Sequence, residues 1–366
     1  MKKLFTPGPL NTSDTVKQSM LHDLGSRDEA FVRVVQDIRE QLLKLGNVSQ
    51  DKGYETIPMQ GSGTFGIEAT IGSGIHRGGK LLVIINGAYG ERILKIAERL
   101  NIETEAIRCP ENELPDTQLL HDTLQDDASI TDIAMCHCET TGGILNPVEE
   151  VGAIVHEFGR TFIVDAMSSF GGIPLDIDAA HIDYLISSSN KCIEGVPGFS
   201  FVIANRETLL ASKGSARSIS LDLLAQWEGL EKNGQFRFTP PTHTMLAFHQ
   251  ALTELDTEGG VIARHKRYQR NHAALISGMR KLGFREYVPS EFQSPIITTF
   301  HYPEDPAFQF EEFYEALSAK GHVIYPGKLT EVECFRIGNI GALQSEDIES
   351  LLTAIGETVV EQKFNV

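Results

Sequence analysis

Cysteine is scarce in this chain and does not fall into pairs. There are five in 366 residues, Cys109, Cys136, Cys138, Cys192 and Cys334, an odd number with no repeated Cys-x-x-Cys. That excludes a disulfide scaffold and a cysteine zinc site. Positive charge is short too: 32 Lys and Arg stand against 50 Asp and Glu, for a net charge of −18. Nucleic acid and anionic membranes both need a basic face, so neither is an expected partner. A small anionic substrate stays possible, because a few local cations can reverse the field inside a cleft. No stretch reaches the roughly 20 apolar residues that a membrane span needs. The opening Met1-Lys2-Lys3-Leu4-Phe5-Thr6-Pro7 has no apolar run long enough for a signal peptide, so a reduced cytoplasmic compartment is expected. His137 alternates faces with Cys136 and Cys138 on a strand, and His156-Glu157 has no second histidine at metal spacing. No metal site is expected from them. Internal repeats, low-complexity tracts and long linkers are also missing.

The composition, 41% hydrophobic and 22% charged, is that of an ordinary globular chain. The length predicts two domains, or one large domain with an appendage. Leu81 to Ile85, Asp132 to Cys138, Thr161 to Val164, Ile182 to Ile186 and Phe199 to Ala204 read as strands. Tyr89 to Leu100 and Val148 to Phe158 read as helices among them. Short apolar runs alternating with helices predict an α/β fold with a mostly parallel sheet. After about Gly259 the character changes. A long amphipathic stretch, Val261 to Leu282, precedes strands at Pro295 to His301, Val323 to Tyr325 and Cys334 to Ile337. Helices at Phe310 to Lys320 and from Ser345 complete a smaller C-terminal α+β domain.

In open parallel sheets, ligands bind beyond the carboxyl ends of the strands, and three features fall there. Gly61-Ser62-Gly63-Thr64 feeds a helix, and a helix N-terminus presents N–H groups suited to a phosphate. Read as a dinucleotide fingerprint it fails, because Asn86 replaces the acidic residue expected at the end of the next strand. Asp165 directly follows an apolar strand and, if buried, needs a cation, a metal or a protonated ring nitrogen. Lys191 follows another strand among small residues, where a partly buried lysine can lose its proton and act as a Schiff-base nucleophile. Taken singly, these are also a tight turn, a helix cap and a surface lysine. Together they are the protein contacts of pyridoxal 5'-phosphate.

The chain resembles the fold-type I, class V aminotransferases over essentially its whole length. The resemblance rests on Phe5-Thr6-Pro7-Gly8-Pro9-Leu10, Gln60-Gly61-Ser62-Gly63-Thr64, Asn86-Gly87-Ala88-Tyr89-Gly90 and His137-Cys138-Glu139-Thr140-Thr141-Gly142. Further on it rests on the stretches Ile163 to Pro174, Asn190 to Gly198, Thr242-His243-Thr244, Val323 to Lys328 and Cys334 to Gly341. Within the family it points to the subgroup that exchanges an amino group between 2-aminoethylphosphonate and pyruvate. The resemblance implies a large domain built on a seven-stranded-type sheet over residues 16–258, a small domain over 259–366, and an arm, residues 1–15, that joins the small domain. It implies a homodimer with the active site at the subunit interface. Lys191 would carry the cofactor's aldehyde and move the proton, and Asp165 would pair with the ring nitrogen. Ser62, Gly63 and Thr64 would hold the phosphate with help from Asn190, and Thr239 of the other subunit would complete the cradle. Tyr89 would stack on the ring, Thr140 would lie near the ring hydroxyl, and Arg336 with Gly8 would meet the substrate. Arg336 also reads independently as an anion grip, because a guanidinium binds a carboxylate or phosphonate through a planar fork. Two half-reactions in one site would give ping-pong kinetics.

Rival readings are a sister transaminase acting on alanine and glyoxylate or on serine and pyruvate, a lyase or desulfurase on the same scaffold, and a non-catalytic protein that keeps the fold. A desulfurase needs a mobile cysteine near the substrate, whereas Cys192 beside Lys191 reads as packing. A pure scaffold has no need of both Asp165 and Lys191.

Overall fold

A computed structural model describes residues 2–327 and 332–366. Short β-branched and aliphatic runs build a seven-stranded sheet. Its order is Tyr54–Gln60, Phe199–Asn205, Tyr184–Ser188, Thr161–Asp165, Ile130–Cys136, Lys80–Ile85, Glu103–Arg108. Phe199–Asn205 runs antiparallel to both its neighbours, and the remaining pairings are parallel. Strand Lys80–Ile85 shows why the runs are continuous. Leu82 and Ile84 enter one apolar layer while Leu81, Val83 and Ile85 enter the other. A strand covered on both faces must be apolar on both, and each such side chain contributes about 1.5–3 kcal/mol by burial. Helices Glu29–Leu45, Thr117–Asp126, Val148–Glu157 and Thr242–Glu258 supply the first layer. Helices Gly63–Gly74 and Ala88–Arg99 supply the second. The chain is therefore an α/β protein, helices packed on both faces of a mostly parallel sheet.

A separate apolar cluster that includes Phe300, Phe313, Phe335 and Ile348 joins a three-stranded sheet, Ile297–His301, Cys334–Gly338, Tyr325–Pro326, to helices Gly260–Lys281, Phe310–Ala319 and Ser345–Gln362. The N-terminal arm belongs to this cluster. Lys3–Leu4 pairs in parallel with His322–Val323, Phe5 is fully buried, and the Ala342 N–H donates to the Asn11 carbonyl.

Most sequence-based elements recur within two residues, with instructive departures. The strand expected over Asp132 to Cys138 ends at Cys136. Cys138–Glu139 leaves the sheet and pairs with Ile144–Leu145, because the Glu139 carboxylate turns toward a helix N-terminus. The expected strand Val323 to Tyr325 is two strands, one on the arm and one on Cys334–Gly338. Lys328, the last residue of the Val323 to Lys328 stretch, lies outside the described residues. No helix is long and apolar enough to cross a membrane, and no three His, Cys, Asp or Glu side chains group to hold a metal ion, both among the described residues.

Candidate active site

The carboxyl ends of the parallel strands open into a cavity of about 170 Å³. Its walls bring together Ser62, Gly63, Thr64, Tyr89, Thr140, Asp165, Asn190 and Lys191. The floor starts at Gly61, whose φ of +99° turns the chain out of strand Tyr54–Gln60. A side chain there would pay the left-handed strain. Ser62 is the N-cap of helix Gly63–Gly74, yet its hydroxyl makes no capping bond. The first N–H groups of that helix are left for a ligand, and the dipole favours an anion.

Asp165 ends its strand and is 5% exposed. One carboxylate oxygen accepts the Met167 N–H at 2.9 Å, and the other meets only the weak thiol donor of Cys136, at 3.9 Å. Among the described residues it forms no ion pair. Burial pushes its pKa up to about 6. Lys191 follows strand Tyr184–Ser188 on a tight turn. Its Nζ donates to the Pro7 carbonyl, and burial pulls its pKa down. The arm sits close: a Cβ at Gly8, where φ is +127°, would lie 2.8 Å from Lys191 Nζ and displace the lysine side chain. The charged forms of both Asp165 and Lys191 are thus disfavoured in the same dry space.

Tyr89 lies in the first turn of helix Ala88–Arg99, with burial raising its pKa. That helix start is fixed by Glu139, fully buried, whose carboxylate accepts from the backbone of Tyr89 and Gly90, each at 3.2 Å, and from Thr141 N and Oγ1. Glu139 therefore sets both Tyr89 and the neighbouring Thr140. Arg336, 2% exposed, is on the small sheet, where it pairs across to Thr299 and Tyr325. It donates to the carbonyls of Thr140 and Pro326 at 2.9 Å each, and its guanidinium lies 4.8 Å from the Tyr325 ring centroid. These contacts hold the fork on the backbone of Thr140, which lines the cavity, whereas Arg336 itself and Gly8 are not among the lining residues. Thr239 is exposed and lies outside the cavity of the single chain.

A buried ionic clamp anchors the lysine turn. Glu194, at φ +66°, accepts from Arg267 and from the Tyr268 hydroxyl at 2.7 Å each. Arg264 donates to the Cys192 carbonyl at 2.6 Å, and Glu258 bridges both arginines. Arg267 also reaches the carbonyls of Gly341 and Leu343, just past the strand that carries Arg336. Cys192 is fully buried, its thiol on the Ser168 carbonyl at 3.2 Å, which is a packing role.

Sequence reasoning missed Arg92, Met167, Ser168 and Ser188 in the cavity wall, the Pro7 carbonyl and the Glu139 carboxylate. Arg92 had a signal, since it follows Tyr89 by one helical turn. Pro7 had none beyond the resemblance, because its contact spans 184 residues of sequence.

A parallel sheet with an uncapped helix N-terminus, an unpaired buried carboxylate and a desolvated lysine at one edge is the arrangement of a fold-type I aminotransferase. This chain belongs to the class-V aminotransferase family, whose model matches residues 11–322. It is 54% identical, over 354 residues and 96% of either chain, to the 2-aminoethylphosphonate–pyruvate transaminases of Salmonella paratyphi B and Salmonella typhimurium. Among solved structures it resembles pyridoxamine-pyruvate aminotransferase from Mesorhizobium loti, with a TM-score of 0.90 and 25% identity, covering 99% of this chain and 92% of that one. The protein is a transaminase, and its family implies pyridoxal phosphate as cofactor.

Proposed function

We propose that this chain moves the amino group of 2-aminoethylphosphonate to pyruvate, giving phosphonoacetaldehyde and alanine, with pyridoxal 5'-phosphate in the cavity described above. The observation that carries the reading is the convergence of Asp165 and Lys191 on a cavity that ends at an uncapped helix N-terminus. The residues fit the cofactor group by group. Buried Asp165 lacks a cation and suits a protonated ring nitrogen; the Gly63–Gly74 helix start suits a phosphate; and the desolvated Lys191 suits an aldehyde. The substrates follow from the relatives' names and from their close identity to this chain.

When bound, the cofactor's ring takes up the electron pair left as the substrate carbon loses its proton. Lys191 holds and returns that proton, a step for which its lowered pKa prepares it. Asp165 keeps the ring nitrogen protonated. Ser62, Gly63 and Thr64 hold the phosphate, with Asn190 beside Lys191. Tyr89 limits ring tilt, and Thr140 meets the ring hydroxyl. Arg336 receives the phosphonate and then the pyruvate carboxylate, with Gly8 leaving space next to Lys191. The chain works as a homodimer in which Thr239 of one subunit completes the other's cradle. Phe65 and Phe238, which flank the cradle and Thr239, are 52% and 45% exposed, and such apolar surface supports an interface there. Residues 16–258 and 259–366 form the large and small domains, with residues 1–15 as an arm of the latter. Five free cysteines support a reducing cytoplasmic setting.

The test is the visible spectrum of the cofactor-loaded protein. Addition of 2-aminoethylphosphonate without pyruvate should bleach the cofactor's band, and pyruvate should restore it. A band that ignores the phosphonate and answers alanine or serine would transfer the function to a sister transaminase. Lys191→Ala should lose at least the 10²–10⁴-fold typical of a positioned base while still binding some cofactor. Near-normal turnover of that variant would overturn the assignment.

A further inference from the structure

Arg92 belongs to none of the interactions assigned so far. It stands on helix Ala88–Arg99, three residues beyond Tyr89, and lines the cavity together with Ser62, Gly63 and Thr64. Its guanidinium carbon lies 4.8 Å from the Tyr89 ring centroid, and Nη1 is 3.5 Å from Thr64 Oγ1. The nearby Arg108 is engaged, paired with Glu91 of the same helix. Arg92 pairs with no carboxylate among the described residues. In a chain with an excess of acid, an unpaired arginine at the rim of a cavity, next to uncapped helix N–H groups, is placed for an anion that arrives from outside. Its charge is also felt inside, where it lowers the pKa of Asp165 against the effect of burial.

We propose that Arg92 is a binding residue for a phosphoryl-type dianion, closing with its fork the cradle that Ser62, Gly63 and Thr64 begin. The inference rests on the function proposed above, which brings two such dianions to the cavity, the cofactor's phosphate ester and the substrate's phosphonate. Both are tetrahedral and doubly charged near neutral pH, and a guanidinium can bind either through two parallel N–H donors. The approach to Thr64 places the guanidinium on the side of the helix N-terminus, so the cofactor's phosphate is the ligand favoured by geometry.

The experiment compares Arg92→Ala and Arg92→Lys with the wild type in two assays. In the first, apoprotein is titrated with pyridoxal phosphate and, separately, with pyridoxal, which lacks the phosphate. The alanine variant should weaken pyridoxal phosphate binding about 10- to 100-fold, the range for loss of a charged hydrogen bond, and leave pyridoxal unchanged. Lysine should restore part of the loss as a point charge. In the second assay, half-reactions with 2-aminoethylphosphonate and with alanine are followed spectroscopically on fully loaded protein. A KM increase confined to the phosphonate, with cofactor affinity intact, would assign Arg92 to the substrate's dianion instead. Equal weakening of pyridoxal and pyridoxal phosphate would mean that Arg92 acts only through Tyr89, and would overturn the proposal. Unchanged values throughout would overturn it as well. The parent reading fails separately, on the wild-type protein's own response to 2-aminoethylphosphonate.

Discussion

Asp165 and Lys191 sit in one cavity with opposite pKa displacements. Burial raises the carboxyl to about 6 and lowers the amine, so each charged form waits for a partner. A protonated ring nitrogen beside Asp165 favours the carboxylate. Affinity for pyridoxal phosphate should therefore decline as pH falls below about 6, approaching tenfold per unit once Asp165 is protonated. The cofactor's own phosphate titrates in the same region, so Asp165→Asn is the decisive control. Titration of apoprotein between roughly pH 5 and 8 should show a shallower pH dependence in the variant, and an affinity about 10- to 100-fold weaker at neutral pH. An unchanged slope would remove Asp165 as the titrating group. Both residues were legible in the sequence because each lies at or just past the end of an apolar strand, where a polar side chain is placed for a ligand site. Glu139 was not legible as a positioning group, because two of its four donors, the N–H groups of Tyr89 and Gly90, become neighbours only after helix Ala88–Arg99 packs against the Cys138–Glu139 hairpin.

At the scale of elements, the turn after strand Tyr184–Ser188 is held to helix Gly260–Lys281 by Glu194, Glu258, Arg264 and Arg267. Glu194→Ala would leave two buried guanidinium groups sharing Glu258, and breaking such a buried arrangement costs about 3–5 kcal/mol. Glu194→Gln keeps an acceptor oxygen for Arg267 and Tyr268 and should cost less than half as much. Urea unfolding of the two variants measures the difference, and a near-zero cost for alanine would show that the clamp is dispensable. The central strands were readable as continuous apolar runs. The two edge strands were not. Glu103–Arg108 reads Glu-Thr-Glu-Ala-Ile-Arg, polar for most of its length with only Ile107 buried, and Tyr54–Gln60 contains Pro58, which weakens any strand signal. Both are assigned by their pairing with a neighbour. The long segment before the small sheet was legible from its helical periodicity and ends within one residue of the expected bounds.

For the whole molecule, a net charge of −18 coexists with a cavity whose rim carries Arg92 and with Arg336 bonded to the carbonyl of Thr140, one of the cavity's residues. Local placement, not total charge, admits an anionic substrate. Thr239 became a candidate through resemblance alone, and in a single chain it stays outside the cavity. If it serves the other subunit, chains carrying Lys191→Ala and chains carrying Thr239→Ala should complement each other. A mixed dimer regains one site with both side chains present. Co-refolded variants should therefore exceed the activity expected from either parent, with pyridoxal phosphate affinity at that site back to the wild-type value. Strict additivity would mean that Thr239 serves its own subunit or none. The arm carries a consequence for biosynthesis. Residues 3–7 leave the ribosome early, yet Lys3–Leu4 needs His322–Val323 as its partner strand, and these emerge after most of the chain has been made. The Pro7 carbonyl can settle on Lys191 only then. The reactive lysine is thus enclosed at the last stage of assembly, and a nascent chain stalled before the small sheet would leave that amine without its cover.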